Sequence, residues 1–292
     1  MPSAARRLGA IFIPDLPPER LRSSVQAAEA AGVDELWLWE DCFREAAFSS
    51  AGAALAWTER LRIGIGIAPM PLRNVALTAM EIATVERMFP GRLLPGVGHG
   101  VLSWMGQVGA RVASPLTLMR EYVPALRGLL AGEKVSARGR YVRLDEVALD
   151  WPPASPPTIY AAGEGPKTLR LTGEVADGTV LTGGTSADQV ASARDLIAAG
   201  RDEAGRPGHH AIAVYVAVAF GDGSGARATA QLERWNLADQ PERILSGDAG
   251  RVARRVEEYY DAGAHAVILQ PLPDETELDG FLRGVADVAS RI

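Results

Sequence analysis

Short, unbroken apolar runs separated by amphipathic stretches set the pattern of this chain. The runs are Leu8–Ile13, Glu35–Trp39, Arg62–Ile67, Arg92–Val97, Thr158–Ala161, Gly178–Leu181, Ala211–Ala219 and Ala266–Gln270. They are rich in Ile, Val and Leu, and most lack a polar alternation. Runs of this kind predict parallel strands buried on both faces, eight of them. Between them the helical period recurs. Glu19–Ala31 carries Leu21, Val25 and Ala28 and closes at Gly32. Asn74–Met88 starts on an N-capping asparagine and places Leu77, Met80, Thr84 and Met88 on one predicted face. Ser114–Leu130 opens Ser-Pro, a cap followed by proline at the first helical position, and Pro124 should kink it. Ser186–Ala204, Gly247–Ala262 and Glu275–Arg291 complete the set.

Strand then helix, about eight times in one chain, predicts a (β/α)8 TIM barrel formed by a single domain over residues 1–292. An open doubly wound sheet is the alternative. It needs a glycine loop after the first strand, and Ile13-Pro14-Asp15-Leu16-Pro17-Pro18 has no glycine. Residues 98–157 break the repeat. They hold one helix, a hairpin around Lys134–Tyr141 and the proline cluster Trp151–Pro157, and they read as an insertion after strand four that covers the barrel mouth.

Composition narrows the picture. The 292 residues are 47% hydrophobic and 23% charged, which excludes wholesale disorder. No apolar run approaches the roughly 20 residues of a membrane helix, and the N-terminal stretch does not have the form of a secretory signal. A net charge of −6 argues against a nucleic-acid partner. The single cysteine, Cys42, excludes an intrachain disulfide and a zinc knuckle and fits a reducing cytoplasm. Of thirty basic residues only Lys134 and Lys167 are lysine, which makes each lysine's position informative.

Candidate chemistry lies at the C-terminal ends of the predicted strands. Ala161-Ala162-Gly163-Glu164-Gly165-Pro166-Lys167 follows strand five and opens a helix. Two glycines and free helix-start N–H groups make an anion site, most naturally for phosphate, or else a tight turn with a surface lysine. Thr182-Gly183-Gly184-Thr185-Ser186 is a second such turn after strand six. Gly64-Ile65-Gly66-Ile67-Ala68-Pro69-Met70 ends strand three and permits close approach of a planar ligand, or is a strand exit made irregular by proline. Gly98-His99-Gly100 ends strand four and offers His99 as a proton donor or ring contact, although a histidine between glycines is more often structural. Trp39-Glu40-Asp41-Cys42 ends strand two, and side-chain alternation turns only one of the two carboxylates inward. Zinc-protease and serine-hydrolase motifs are missing from the chain, and His209-His210 reads as a solvated loop pair, so no metal is expected.

Together these segments resemble the luciferase-like monooxygenase superfamily, and within it the coenzyme F420-dependent oxidoreductases. The residues that carry the resemblance are Arg62–Pro69, Pro90–Gly100, Ser114–Tyr122, Tyr160–Leu169 and Ala176–Val180. The resemblance implies a cofactor at the barrel mouth, F420 or alternatively FMN, and a homodimer. It implies a non-proline cis peptide at Gly66–Ile67 under the ring. It implies a cofactor site of Gly66, Ile67, Ala68, Gly98, His99, Ala162, Gly163, Glu164, Gly165, Pro166, Lys167, Thr182, Gly183 and Gly184. Many F420 relatives have Asp-His-Phe where this chain has Asp41-Cys42-Phe43, so the proton role passes to Glu40, Asp41 or His99. Trp39, Cys42, Met70 and Trp104 are the candidate substrate pocket, and the substrate is a small organic molecule. The non-redox alternative is a barrel acting on a phosphorylated metabolite.

Overall fold

A computed structural model describes residues 6–292. Residues 1–5, the start of the stretch assessed for a secretory signal, lie outside the described residues. Eight parallel strands close on themselves. They are β1 (Arg7–Phe12), β2 (Glu35–Leu38), β3 (Arg62–Pro69), β4 (Leu93–Gly98), β7 (Tyr160–Ala162), β8 (Gly178–Leu181), β9 (Ala211–Phe220) and β11 (Ala266–Pro271). The ring runs in that order, and β11 pairs back onto β1 through Arg7↔Ala266 and its successors. All eight apolar runs are barrel strands. An additional strand, β10 (Ile244–Gly247), pairs with the outer half of β9.

Side-chain alternation divides the core in two. Leu8, Ala10 and Phe12 point out to the helices, while Ile11 and Ile13 point in. Inside the barrel Trp37, Tyr160 and Tyr215 meet edge-on, with ring centroids 5.5 and 5.8 Å from Trp37. These rings fill the barrel as a packed plug. They also explain Gly64, whose Cβ would overlap the Trp37 indole. The Trp37 Nε1–H donates to Glu35 at 3.0 Å, and Arg62 pairs with the same fully buried carboxylate at 3.2 Å. The N-terminal end of the barrel is closed by this cluster.

The helices are α1 (Leu21–Ala30), α2 (Ala47–Ala56), α3 (Val75–Met88), α4 (Leu102–Gln107), α5 (Pro115–Leu130), α6 (Pro166–Val175), α7 (Ala187–Glu203), α8 (Ser224–Arg234), α9 (Ala249–Asp261) and α10 (Leu278–Ala289). The Asn74 and Ser114 caps form as expected. Helix α5 continues unbroken through Pro124. The expected face of α3 is corrected: Leu77, Met80 and Met88 are exposed, and Val75, Thr78, Ala79, Ile82 and Ala83 are buried. Small residues let this helix lie close to the sheet, and Thr78 accepts a 2.6 Å hydrogen bond from the buried Tyr122 hydroxyl.

The insertion is also corrected in part. It carries two helices, α4 and α5, and its hairpin pairs β5 (Val135–Arg138) with β6 (Arg143–Val147), so the turn lies where the second strand was expected. Only its first residues reach the mouth. The proline segment lies at the opposite end, beside Arg62 and Leu93 at strand starts.

Candidate active site

The C-terminal ends of the strands surround a cavity of about 550 Å3. Its floor is the end of β3. The pairing of β3 with β4 slips between Ile65 and Ala68, and the bulge presents Gly66 and Ile67 to the cavity. The Gly66–Ile67 peptide is cis, as the resemblance implied; the Cys42–Phe43 peptide is also cis. A side chain on Gly66 would overlap the Tyr215 hydroxyl, which donates to the Gly66 carbonyl at 3.2 Å. Tyr215 is fully buried and its phenol is held well above its ordinary pKa by that burial, so it stays a donor.

One wall is the β7–α6 turn. Ala162, Gly163, Glu164, Gly165 and Thr168 line the cavity. Helix α6 begins at Pro166 on an N-cap glycine, and no side chain caps it. Its first-turn N–H groups are therefore available to a bound anion. The β8–α7 turn stands beside it. Thr182 and Gly183 line the cavity, and the Thr182 hydroxyl donates to Glu164 at 2.7 Å. Gly184 has φ +83°, and its carbonyl accepts from Arg243 at 2.6 Å. The Thr185 carbonyl accepts from Tyr259 at 3.0 Å, and Ser186 with Gln189 forms a capping box on α7. Pro166 and Gly184 face an adjoining cavity of about 400 Å3 rather than the main one.

The opposite wall carries the titratable groups. Glu40, Asp41 and His99 all line the cavity; strand alternation predicted that only one carboxylate would face inward, but β2 ends at Leu38, before both of them. Glu40 accepts from Arg73 at 2.7 and 3.0 Å, and from the Ala47 N–H at the start of α2 at 2.8 Å. Both its oxygens are engaged, and Arg73 also binds Glu81. Asp41 has no side-chain hydrogen bond among the described residues, and burial pushes its carboxyl pKa up. His99 Nδ1 is buried without a partner among the described residues, and burial holds the imidazole below its usual pKa. It is neutral at pH 7.

Several expected residues lie elsewhere. Ala68 and Met70 point into the core between barrel and helices, because the bulge turns the chain there. Gly98 does not line the cavity; a Cβ there would press on Ile67, so this glycine makes room for the bulge. Lys167 is exposed and absent from the lining, since the helix turns its side chain to solvent. Cys42 is also outside the lining, and burial together with the Glu40 and Asp41 carboxylates pushes its thiol pKa up. Trp39 and Trp104 do line it. Tyr215, Trp235 and Gln270 line it without having been singled out. Tyr215 and Gln270 sit at inward positions of late strands, a signal that strand alternation contains. Trp235 follows α8, for which no pattern stood out.

Comparison with known proteins agrees with this geometry. The family model for luciferase-like monooxygenases matches residues 4–243. The 5,10-methylenetetrahydromethanopterin reductase of Methanolobus tindarius is 29% identical over 240 residues, 81% of this chain and 73% of that protein. Among solved structures, the coenzyme F420-dependent tetrahydromethanopterin reductase of Methanopyrus kandleri superposes with a TM-score of 0.82 at 20% identity, over 97% of this chain and 98% of that one. An F420-dependent secondary alcohol dehydrogenase in complex with an F420–acetone adduct superposes with a TM-score of 0.84 at 23% identity, over 97% and 99%.

Proposed function

The chain belongs to the luciferase-like monooxygenase family, and from that premise we propose that it is an oxidoreductase transferring a hydride between coenzyme F420 and a small organic substrate. The single observation that carries this reading is the bulge of Gly66 and Ile67 opposite the uncapped start of α6 across one cavity. A phosphorylated planar ring fits such a place. The glycine-rich rim has no side chains to obstruct it. The α6 N–H groups and the Thr168 hydroxyl suit a phosphate.

When bound, the deazaflavin supplies two-electron hydride chemistry at its C5. The chain's own residues do the rest. Gly66 and Ile67 support the ring, with Tyr215 fixing the Gly66 carbonyl. Gly163, Gly165 and Thr168 hold the phosphate. Trp39, Val101 and Trp104 exclude water from the remaining space. His99, neutral and with a free ring nitrogen, is placed to hold or pass a proton. Glu40 is an anchor, since its oxygens are spent on Arg73 and α2.

The reading extends to a homodimer. The exposed Leu77, Met80 and Met88 of α3 supply an apolar face for a second copy, and sedimentation at micromolar concentration tests it.

Parallel titration with F420 and FMN tests the cofactor. F420 is expected to bind with a shift in its absorption and to support turnover. Tight FMN binding with oxygen consumption would replace this reading with a monooxygenase. Turnover of a phosphorylated metabolite without either cofactor would replace it with non-redox chemistry, for which the cavity lining has no lysine.

A further inference from the structure

We infer that Gln270, in space left open by Gly183, forms a subsite for the hydroxylated chain that joins a cofactor's ring to its phosphate. The inference rests on the hydride-transfer reading for where ring and phosphate sit, and adds what the protein does between them.

The argument begins on β11. Its inward positions are Ala266, Ile268 and Gln270. Ala266 and Ile268 pack with the aromatic plug. Register places Ile268 level with Tyr215, and Gln270 level with Ala217. The Tyr215 hydroxyl donates to the Gly66 carbonyl and so supports the floor from below. Gln270 therefore stands one inward layer above the plug, at the height of whatever rests on Gly66 and Ile67. An amide interrupts the apolar run at the level where the barrel opens into the cavity.

That amide has no partner within the protein. Gln270 is 9% exposed and lines the cavity, yet its side chain makes no hydrogen bond among the described residues. A primary amide carries two donor hydrogens and an acceptor oxygen, and leaving them unpaired in a buried place is costly. Nearby uncharged groups are already spent. Tyr215 is committed to Gly66, Thr182 donates to Glu164 at 2.7 Å, and the Trp39 Nε1–H is occluded. The Gln270 amide is left to serve a ligand.

Its place says which part of the ligand it meets. A Cβ on Gly183 would come within 2.5 Å of the Gln270 amide oxygen, so glycine at 183 makes room for this side chain. Gly183 belongs to the β8–α7 turn beside the phosphate wall, and it lines both the main and the adjoining cavity. The glutamine thus reaches from β11 past the small Ala217 toward the wall that receives the phosphate. A ring over Gly66 and a phosphate at the start of α6 are joined by a chain that passes this point. A hydroxyl both donates and accepts, and it matches a primary amide on both counts. A chain of methylenes would leave the amide stranded.

The test compares two ligands that differ only in the linker: the deazaflavin ring of F420 carrying a ribityl chain, and the same ring carrying a pentyl chain of equal length. Neither has a phosphate, so the α6 wall does not enter. Calorimetry on the full chain reads both affinities. Gln270→Met keeps the length of the side chain and removes the amide. It should lower the ribityl-to-pentyl affinity ratio about tenfold. The melting temperature of the ligand-free variant should not fall, because an unpaired buried amide has been removed. Gln270→Asn withdraws the amide by one methylene; it should lower the ratio as well, and it serves should Gln270→Met fold poorly. A ratio unchanged in both variants, with the two affinities falling together or not at all, would overturn the proposal. Riboflavin and its pentyl counterpart separate the subsite from the cofactor reading. If only the flavin pair binds and its ratio depends on Gln270, the F420 reading falls and the subsite stands. If the deazaflavin pair binds with a ratio indifferent to Gln270, the subsite falls and the F420 reading stands. Failure of both pairs to bind overturns both.

Discussion

At the level of single residues, Glu40 and Gly66 show how position decides role. Glu40 faces the cavity as a free acid would, but its oxygens hold Arg73 and the first N–H of α2. Glu40→Gln should therefore act chiefly on stability. Removing one partner of a largely buried ion pair costs about 3 kcal/mol, which a urea midpoint reads directly. Gly66→Ala places a methyl group on the Tyr215 hydroxyl. Overpacking of this order costs about 1–3 kcal/mol, and the variant is expected to lose most of its F420 affinity because the floor of the cavity must shift. Calorimetric titration beside a thermal melt separates the two effects. The glycines of the strand-end turns were legible in the sequence because glycine tolerates close approach and little else does. Their individual reasons were not. Gly64 yields to Trp37, Gly66 to Tyr215 and Gly98 to Ile67, and such neighbours come from strands far away in sequence. The engagement of Glu40 by Arg73, thirty-three positions on, was hidden for the same cause.

Between elements, the packing of α6 on α7 governs the phosphate wall. Gly173 and Gly200 lie where each helix meets the other's backbone: a Cβ on Gly173 would overlap the Ile197 carbonyl, and one on Gly200 the Arg170 carbonyl. Glycine inside a helix costs about 1 kcal/mol relative to alanine, so alanine should help unless contact forbids it. Here contact forbids it. Gly200→Ala is expected to lower the melting temperature and, by prising α6 outward, to weaken phosphate-dependent cofactor binding severalfold. A control alanine at Gly225 of α8, where nothing lies within 4 Å of a Cβ, should leave both unchanged or raise stability slightly. Apolar runs identified all eight barrel strands because buried parallel strands have few other possible patterns. The face of α3 was misread because Leu77, Met80 and Met88 share a helical period while pointing away from the sheet. Periodicity finds a stripe; it does not say which neighbour the stripe meets. The β5–β6 turn was displaced because Glu121 of α5 accepts from the N–H groups of Arg140, Tyr141 and Val142, a contact no local pattern encodes.

For the molecule as a whole, the end of the barrel away from the cavity controls its response to acid. His210, expected in a solvated loop pair, is instead buried, between Thr179 at 2.8 Å and Arg201 at 3.2 Å. Burial first, then the nearby arginines, push its pKa down to about 3, and burial pushes His265 down to about 4. Both bind a proton more readily when unfolded, at an ordinary pKa near 6.5. Their contribution to stability is complete above that value and is lost as pH falls toward the folded values. His210 alone should cost about 1.4 kcal/mol between pH 7.5 and 5.5, and His265 adds to it in the same direction. Urea unfolding at the two pH values measures the sum, and His210→Gln should flatten the slope while lowering stability at pH 7.5.

The aromatic plug of Trp37, Tyr160 and Tyr215, sealed below by Glu35 and Arg62, closes the barrel side of the cavity, so cofactor and substrate reach its floor from the mouth. Traffic must then queue. A ring seated against the plug has to arrive before the molecule it reacts with, and the last to enter is the first to go. Steady-state velocities should trace intersecting rather than parallel lines, with product inhibition marking the cofactor as the inner occupant.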